Sequence, residues 1–313
     1  MFVSLLIVSH NSYVVHRLSY VETYLILTPY FLLRFLLTHG SVRSCYNTKV
    51  NKVIPKKSLG QHWLHDSGIL SQIVQAANVQ PGNAVLEIGP GLGTLTEKLL
   101  HTGAKVTAVE FDHVLAEKLA ARKWGSLPAQ AEITVVESDI LQFNLASMPS
   151  GFKVVANIPY YLTSNLIRVL CESEIPFSTA VILIQKEVAE RVVATPGKLS
   201  LLAVTTQFYC ETSLGVVVPA VYFTPPPKVD SQVLVLHRRT KPLFVVDETK
   251  FFRLVRAGFS QKRKTLLNSL SGGLSITKDA VRALLKEAAI SENARAQALT
   301  LAQWHALYLA AEK

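Results

Sequence analysis

Cysteine is scarce in this chain. The 313 residues hold three, Cys45, Cys171 and Cys210, with none in metal-like or redox spacing of another. That excludes a disulfide scaffold and a thiol-held metal, and it fits an intracellular, cytoplasmic location. The nine histidines form no ligand array either, so no metal is expected. Long apolar runs are also missing. Tyr24 to Leu37 is apolar, but Pro29 and Arg34 break it, so it falls short of the roughly 18 residues a spanning helix needs, and no membrane association is expected. There is no internal repeat and no low-complexity tract. Acid is in short supply too: 22 Asp and Glu face 32 Lys and Arg, a formal charge of +10 that favours a polyanionic partner through counterion release.

What the chain does contain is a series of apolar strands, each ending in a polar residue suited to a ligand. Val85 to Ile88 runs into Gly89-Pro90-Gly91-Leu92-Gly93. Glycines there let backbone approach a ligand at the carboxyl end of a first strand, where doubly wound sheets bind nucleotides. Such a turn also occurs in NAD-binding proteins. Glu87, just before it, would repel a pyrophosphate but suits a cationic sulfonium, which points to S-adenosylmethionine. The next strand, Lys105 to Val109, delivers Glu110 where a ribose could be held. Ile133 to Ser138 delivers Asp139, which could accept from an adenine amine. Each acid alone could equally be a solvated strand end.

The fourth strand, Phe152 to Ala156, ends in Asn157-Ile158-Pro159-Tyr160. An amino group conjugated to a purine ring is a poor nucleophile and needs acceptors that draw its hydrogens. The Asn157 oxygen and a carbonyl at Ile158 or Pro159 can supply them. Pro159 stiffens the turn and biases Ile158 to an extended conformation. Tyr160 offers a face on which a splayed base can stack. These four residues point to methyl transfer onto adenine N6. The structural alternative is an ordinary proline turn.

Lys57 to Leu64, Glu87 to Gly93, Asn157 to Tyr160, Gln185 to Val188, Phe223 to Ser231 and Phe259 to Lys264 together resemble the KsgA (RsmA) ribosomal RNA adenine dimethyltransferases, in unbroken order from about residue 55 to the end. The resemblance implies a Rossmann-like α/β class I methyltransferase sheet with a small C-terminal all-helical domain. It also implies transfer of two methyl groups to each of two adjacent adenosines in a hairpin loop near the 3′ end of small-subunit ribosomal RNA. S-adenosylmethionine is expected against His62, Leu64, Glu87, Gly89, Gly91, Glu110, Asp139 and Asn157. His62 and Trp63 stand where the bacterial pattern usually has Asn and Phe. Imidazole still offers a hydrogen bond and indole keeps the bulk, so binding should survive, with an altered pH dependence. Phe223, ahead of three stiff prolines, is expected as the aromatic wall opposite Tyr160. The alternative is that Tyr222 and Phe223 fill a core, or that one of them does each job.

Helical patterns at Ser67 to Ala77, Thr94 to Leu100, His113 to Arg122, Ser164 to Cys171 and Lys186 to Ala194 alternate with strands near Ala84, Lys105, Ile133, Lys153, Thr179, Ser213 and Ser231. That alternation predicts a mostly parallel sheet in a methyltransferase domain over 53–240. From Asp247 only helical patterns follow, broken at Ser271 to Leu274 and near Ser291, so 241–313 reads as a helical RNA-binding domain after a linker at Thr240 to Leu243. Basic residues gather there. Lys228, Arg238, Arg239, Arg256, Lys262, Arg263 and Lys264 are the expected RNA contacts, with Gln261 to Lys264 on a helix and Phe251, Phe252 and Phe259 among them.

Residues 1–52 share nothing with this pattern and carry five basic residues against the single acid Glu22. They lack the features of a secretory signal and read as a disordered extension or a start codon called too early. A transit peptide or a membrane anchor is the minority alternative. The expected partner is small-subunit RNA in a pre-30S ribosomal particle, bound by a monomer. Two other functions stay open: a large-subunit RNA methyltransferase of the macrolide-resistance type, and a ribosome-assembly or transcription factor in which catalysis is secondary.

Overall fold

A computed structural model describes residues 55–56 and 59–313 fully, and the backbone alone of 4–9 and 12–17. The chain divides into two units, 1–53 and 54–313. In the first, β1 (Ser4–Ser9) and β2 (Ser12–Arg17) pair antiparallel. The rest of the expected N-terminal extension, Tyr24 to Leu37 included, lies outside the described residues.

In the second unit, β3 (Trp63–Leu64) makes a separate two-residue pairing with β10 (Phe223–Thr224). The main sheet has five parallel strands, β4 (Ala84–Ile88), β5 (Lys105–Glu110), β6 (Glu132–Glu137), β7 (Lys153–Asn157) and β8 (Thr179–Gln185). One edge is β9 (Cys210–Val218), and β11 (Ser231–Arg238) returns antiparallel between it and β8. The order across the sheet is β6-β5-β4-β7-β8-β11-β9. Strand β8 reads Thr-Ala-Val-Ile-Leu-Ile-Gln and is buried up to its last residue, as a strand covered on both faces must be. At the opposite edge, β6 has only half-buried and exposed residues. The chain leaves β4 toward β5 and β6, then restarts beside β4 at β7, so a topological switch point opens between β4 and β7.

The five expected helices are α1 (Ser67–Ala76), α2 (Thr94–His101), α3 (His113–Ala120), α4 (Thr163–Glu172) and α5 (Lys186–Val192), all within two residues of the sequence bounds. A sixth, α6 (Leu201–Tyr209), was not expected, because Leu-Leu-Ala-Val-Thr-Thr has no polar stripe to mark a helix. Ser200 marks its start by capping the Ala203 N–H at 3.1 Å.

The C-terminal part is α7 (Glu248–Phe259), α8 (Leu266–Leu274), α9 (Lys278–Glu287) and α10 (Leu301–Ala311). Its core is continuous with the sheet's: one apolar cluster runs from Leu86 and Val154 through Phe208 to Phe251, Leu285 and Trp304. Phe208 stacks on Phe251 at 5.2 Å. Phe251 and Phe252 are therefore core residues and unavailable to RNA. Gln261 to Lys264 forms the turn between α7 and α8, not the expected helix. Ser271 to Leu274, expected as a break, is the last turn of α8, which ends at a left-handed Ser275 (φ 59°). Cys210 heads β9 and does not lie in a helical run. Among the described residues no helix is long and apolar enough to cross a membrane, and no cluster could hold a metal.

Candidate active site

The carboxyl ends of β4, β5 and β7, together with the segments before β3 and after β7, enclose a cavity of about 340 Å3. The expected residues His62, Gly89, Gly91, Glu110, Asp139, Asn157, Pro159, Tyr160 and Phe223 all border it. Leu64 and Glu87 do not.

Two glycines shape the wall. Gly89 (φ +68°) lies so close to β7 that a Cβ would meet the Asn157 carbonyl at 3.2 Å, and Gly91 (φ +57°) would press one on the Trp63 indole at 3.2 Å. Any side chain at either place would be strained and would push two motifs apart.

Glu110 is 6 % exposed. Its Oε2 accepts from the Gly91 N–H at 3.0 Å and its Oε1 from the Asp112 N–H at 2.9 Å. Burial raises its pKa, and those two N–H groups partly offset the rise. Each oxygen keeps a lone pair, which is what a ribose with two hydroxyls requires. Asp112 extends the arrangement. Its carboxylate takes the Lys56 ammonium at 2.8 Å and the Gln61 amide at 3.2 Å. Burial works against its charge, but those two partners hold its pKa below the usual carboxylate range. Asp139 turns Oδ1 to the Leu141 N–H at 2.9 Å and leaves Oδ2 for an amine.

The Asn157 Nδ2 donates to the His62 carbonyl at 3.4 Å, and the Tyr160 hydroxyl meets the Ser231 hydroxyl at 2.8 Å. The His62 ring lies 6.0 Å from the Tyr160 ring and inclined by 19°, with Nδ1 2.6 Å from the Pro225 carbonyl.

Three residues do not sit where the sequence suggests. Glu87 is fully buried beneath the glycine turn, and neither of its oxygens has a well-formed hydrogen bond. Burial pushes its pKa up to about 8, against the pull of Thr96 beside it. At neutral pH it is protonated, so it neither repels a pyrophosphate nor attracts a sulfonium. Leu64 turns into the core beside Phe223, and its carbonyl accepts from the Thr94 hydroxyl at 3.3 Å. Phe223, 4 % exposed, is a floor residue of the cavity; Tyr222 is the exposed member of that pair. The ring that faces Tyr160 belongs to His62.

Lys228 stands exposed on the loop between β10 and β11, and Arg256 and Lys262 to Lys264 are exposed on or after α7. Arg238 is different. It closes β11, seven residues from Ser231 and roughly 23 Å away at the rise of an extended strand. Its guanidinium donates to the Cys171 carbonyl and lies 4.6 Å over the Tyr209 ring. Arg239 follows it at that far edge and pairs with Glu211 at 2.9 Å. Neither reaches the cavity.

Trp63, noted in the sequence only as a departure from the usual Phe, completes the surroundings with Phe111, Ile140, Tyr161 and the Lys56–Asp112 pair, and none of those other residues was singled out from sequence. Asp112 left one usable signal, as a cap residue for α3 two positions after Glu110. The pairing of Ser231 with Tyr160 left none.

A family model for ribosomal RNA adenine dimethylase matches residues 54–313. A ribosomal RNA small subunit methyltransferase A from Dehalococcoides mccartyi (strain CBDB1) is 40% identical over 258 residues, which cover 81% of this chain and 87% of that protein. A protein of the same name from Streptococcus pneumoniae serotype 2 (strain D39 / NCTC 7466) is 41% identical over 265 residues, covering 80% and 90%. Among solved structures, a dimethyladenosine transferase from Plasmodium falciparum matches with a TM-score of 0.66 and 29% identity over 79% of this chain and 96% of that one. The 23S rRNA methyltransferase ErmE matches with 0.64 and 29% over 80% and 100%.

Proposed function

The chain belongs to the ribosomal RNA adenine dimethylase family, and we propose that its cavity moves methyl groups from S-adenosylmethionine to N6 of two adjacent adenosines in the 3′-terminal hairpin loop of small-subunit (16S) ribosomal RNA. The product is N6,N6-dimethyladenosine, made while the small subunit matures. One observation carries the assignment: Asn157 gives its amide N–H to the His62 carbonyl and so has its oxygen left for a substrate amine.

The cofactor fits the donor set. Glu110 has spare lone pairs for ribose hydroxyls, Asp139 has one for an adenine amine, and Gly89 and Gly91 leave room along the loop. When bound, S-adenosylmethionine supplies an electrophilic methyl on a sulfonium. The chain's own residues do the rest. The target base must leave its stack, and a loop base costs least to extract. Tyr160 gives the base a face. The Asn157 Oδ1 and a carbonyl of the following turn accept from N6 and draw its lone pair out of the ring. Holding the amine in line, together with the charge lost at sulfur, supplies much of the acceleration. The proton on N6 becomes acidic as the nitrogen takes the methyl, so no side-chain base is required. The exposed cations Lys228, Arg256 and Lys262 to Lys264 would hold phosphates of the RNA, within a pre-30S ribosomal particle and with the protein acting as a monomer.

Methylation of large-subunit RNA would use the same cavity, and the fold is shared with ErmE. The relatives at about 40% identity are the small-subunit enzymes, which favours the first substrate. Incubation with labelled S-adenosylmethionine and small subunits that lack the dimethyladenosines, followed by mass mapping of the RNA, separates the two. Label on two adjacent loop adenines supports the assignment; label only on large-subunit RNA overturns it.

A further inference from the structure

His62 touches two segments far from it and from each other in sequence, the 157–160 turn and the proline run at 225. Its ring Nδ1 lies 2.6 Å from the Pro225 carbonyl, its own carbonyl receives the Asn157 amide at 3.4 Å, and its ring faces Tyr160 at 6.0 Å. A carbonyl can only accept, which fixes two things. The Nδ1 must carry a hydrogen, and the amide atom of Asn157 nearest His62 must be nitrogen. The acceptor Oδ1 of Asn157 is thereby turned to the other side. The bond to His62 is the one side-chain hydrogen bond that Asn157 makes among the described residues, so no second partner there holds it in that orientation.

We infer that His62 is a positioning residue for methyl transfer: pinned by its ring to Pro225, it presents a main-chain carbonyl that sets which way Asn157 faces. This rests on the function proposed above. Gln61 stays held by Asp112 and Trp63 by its pairing with Thr224, but without the pin the His62 main chain between them loses its own restraint and Asn157 can flip, presenting N–H where the amine needs an acceptor. The chemistry at the ring is specific. In histidine Nδ1 is bonded to Cγ, as the two terminal atoms of asparagine and aspartate are. Asparagine at 62 can therefore put an N–H against the Pro225 carbonyl, whereas aspartate puts an oxygen there and repels it.

The test compares His62→Asn with His62→Asp and His62→Ala in full-length protein. Activity is measured on small subunits and S-adenosylmethionine binding by calorimetry. We expect His62→Asn to keep kcat within about fivefold, since a single neutral hydrogen bond is retained. His62→Asp and His62→Ala should lose roughly 10- to 100-fold in kcat, the scale of a misplaced reacting group, with a much smaller change in cofactor Kd. Equal kcat in the Asn and Asp variants would overturn the inference, as would a loss confined to Kd. If the variants do not fold, nitrogen-15 shifts of the wild-type histidines decide: protonation of His62 at Nδ1 supports the pin, and the Nε2–H tautomer overturns it. An inactive wild-type protein would count against the proposed function, while the tautomer would still report on the pin.

Discussion

The Tyr160 hydroxyl lies 2.8 Å from the hydroxyl of Ser231, so the aromatic face of the Asn-Ile-Pro-Tyr turn is tied to the first residue of the antiparallel strand β11. Ser231 is fully buried, which makes it a fixed post. Burial raises the Tyr160 pKa, so the phenol stays neutral. Ser231→Ala should lower kcat by roughly 3- to 10-fold, the equivalent of one hydrogen bond. Tyr160→Phe should behave similarly. Tyr160→Ala should cost more, about 1 to 3 kcal/mol of stacking, or roughly 5- to 150-fold. Steady-state kinetics on small subunits check the order.

Glu110→Gln should weaken S-adenosylmethionine binding by roughly 10- to 100-fold, the range for a charged hydrogen-bond partner. The new amide would also turn an N–H toward that of either Gly91 or Asp112, both of which Glu110 now satisfies. Calorimetric titration with the cofactor measures it, with RNA omitted.

Glu87 should make stability pH-dependent. Its pKa is about 8 in the folded chain against an ordinary 4.5. Between those values the unfolded chain releases a proton that the folded chain keeps, so stability falls as pH rises across that window, by about 1.4 kcal/mol per pH unit at most. Glu87→Gln removes the linkage. Its melting temperature relative to wild type should climb from about pH 5 to about pH 8 and level off above. A flat difference would contradict the buried, protonated carboxyl.

The two groups of basic residues should separate cleanly. Replacing Lys262, Arg263 and Lys264 with Ala should weaken RNA binding and flatten its salt dependence by up to about 0.9 for each phosphate no longer neutralised. Arg238→Ala should leave that slope alone and lower stability by about 1.5 to 3 kcal/mol, because its guanidinium serves the Cys171 carbonyl and the Tyr209 ring. Filter binding across a salt series and urea denaturation distinguish the two.

Much of the site was legible because its parts are local. Glu110, Asp139 and Asn157 each close or follow an apolar strand, and parallel topology brings such ends to one edge. The seven strands and five of the helices were legible from the period of their apolar residues. What could not be read was long-range. Glu87 has the spelling of a ligand residue, yet its place as the next-to-last residue of a central strand puts it under the loop, where burial removes its charge. Phe223 and Leu64 read as ligand walls, but in their two-residue pairing both are buried, Leu64 in the core away from the cavity and Phe223 as its floor. Arg238 belongs to a basic run in sequence, but β11 is antiparallel, so its end lies opposite the site. Helix α6 escaped because it is buried on several sides and shows no polar stripe.

The role of Asn157 is tested most directly by the single-turnover methylation rate of Asn157→Ala at saturating S-adenosylmethionine and bound RNA. With the acceptor for N6 removed and both ligands still in place, the rate should fall by at least about 100-fold. A rate within a few-fold of wild type would contradict this, because the amine would then be held by something other than the Asn157 side chain.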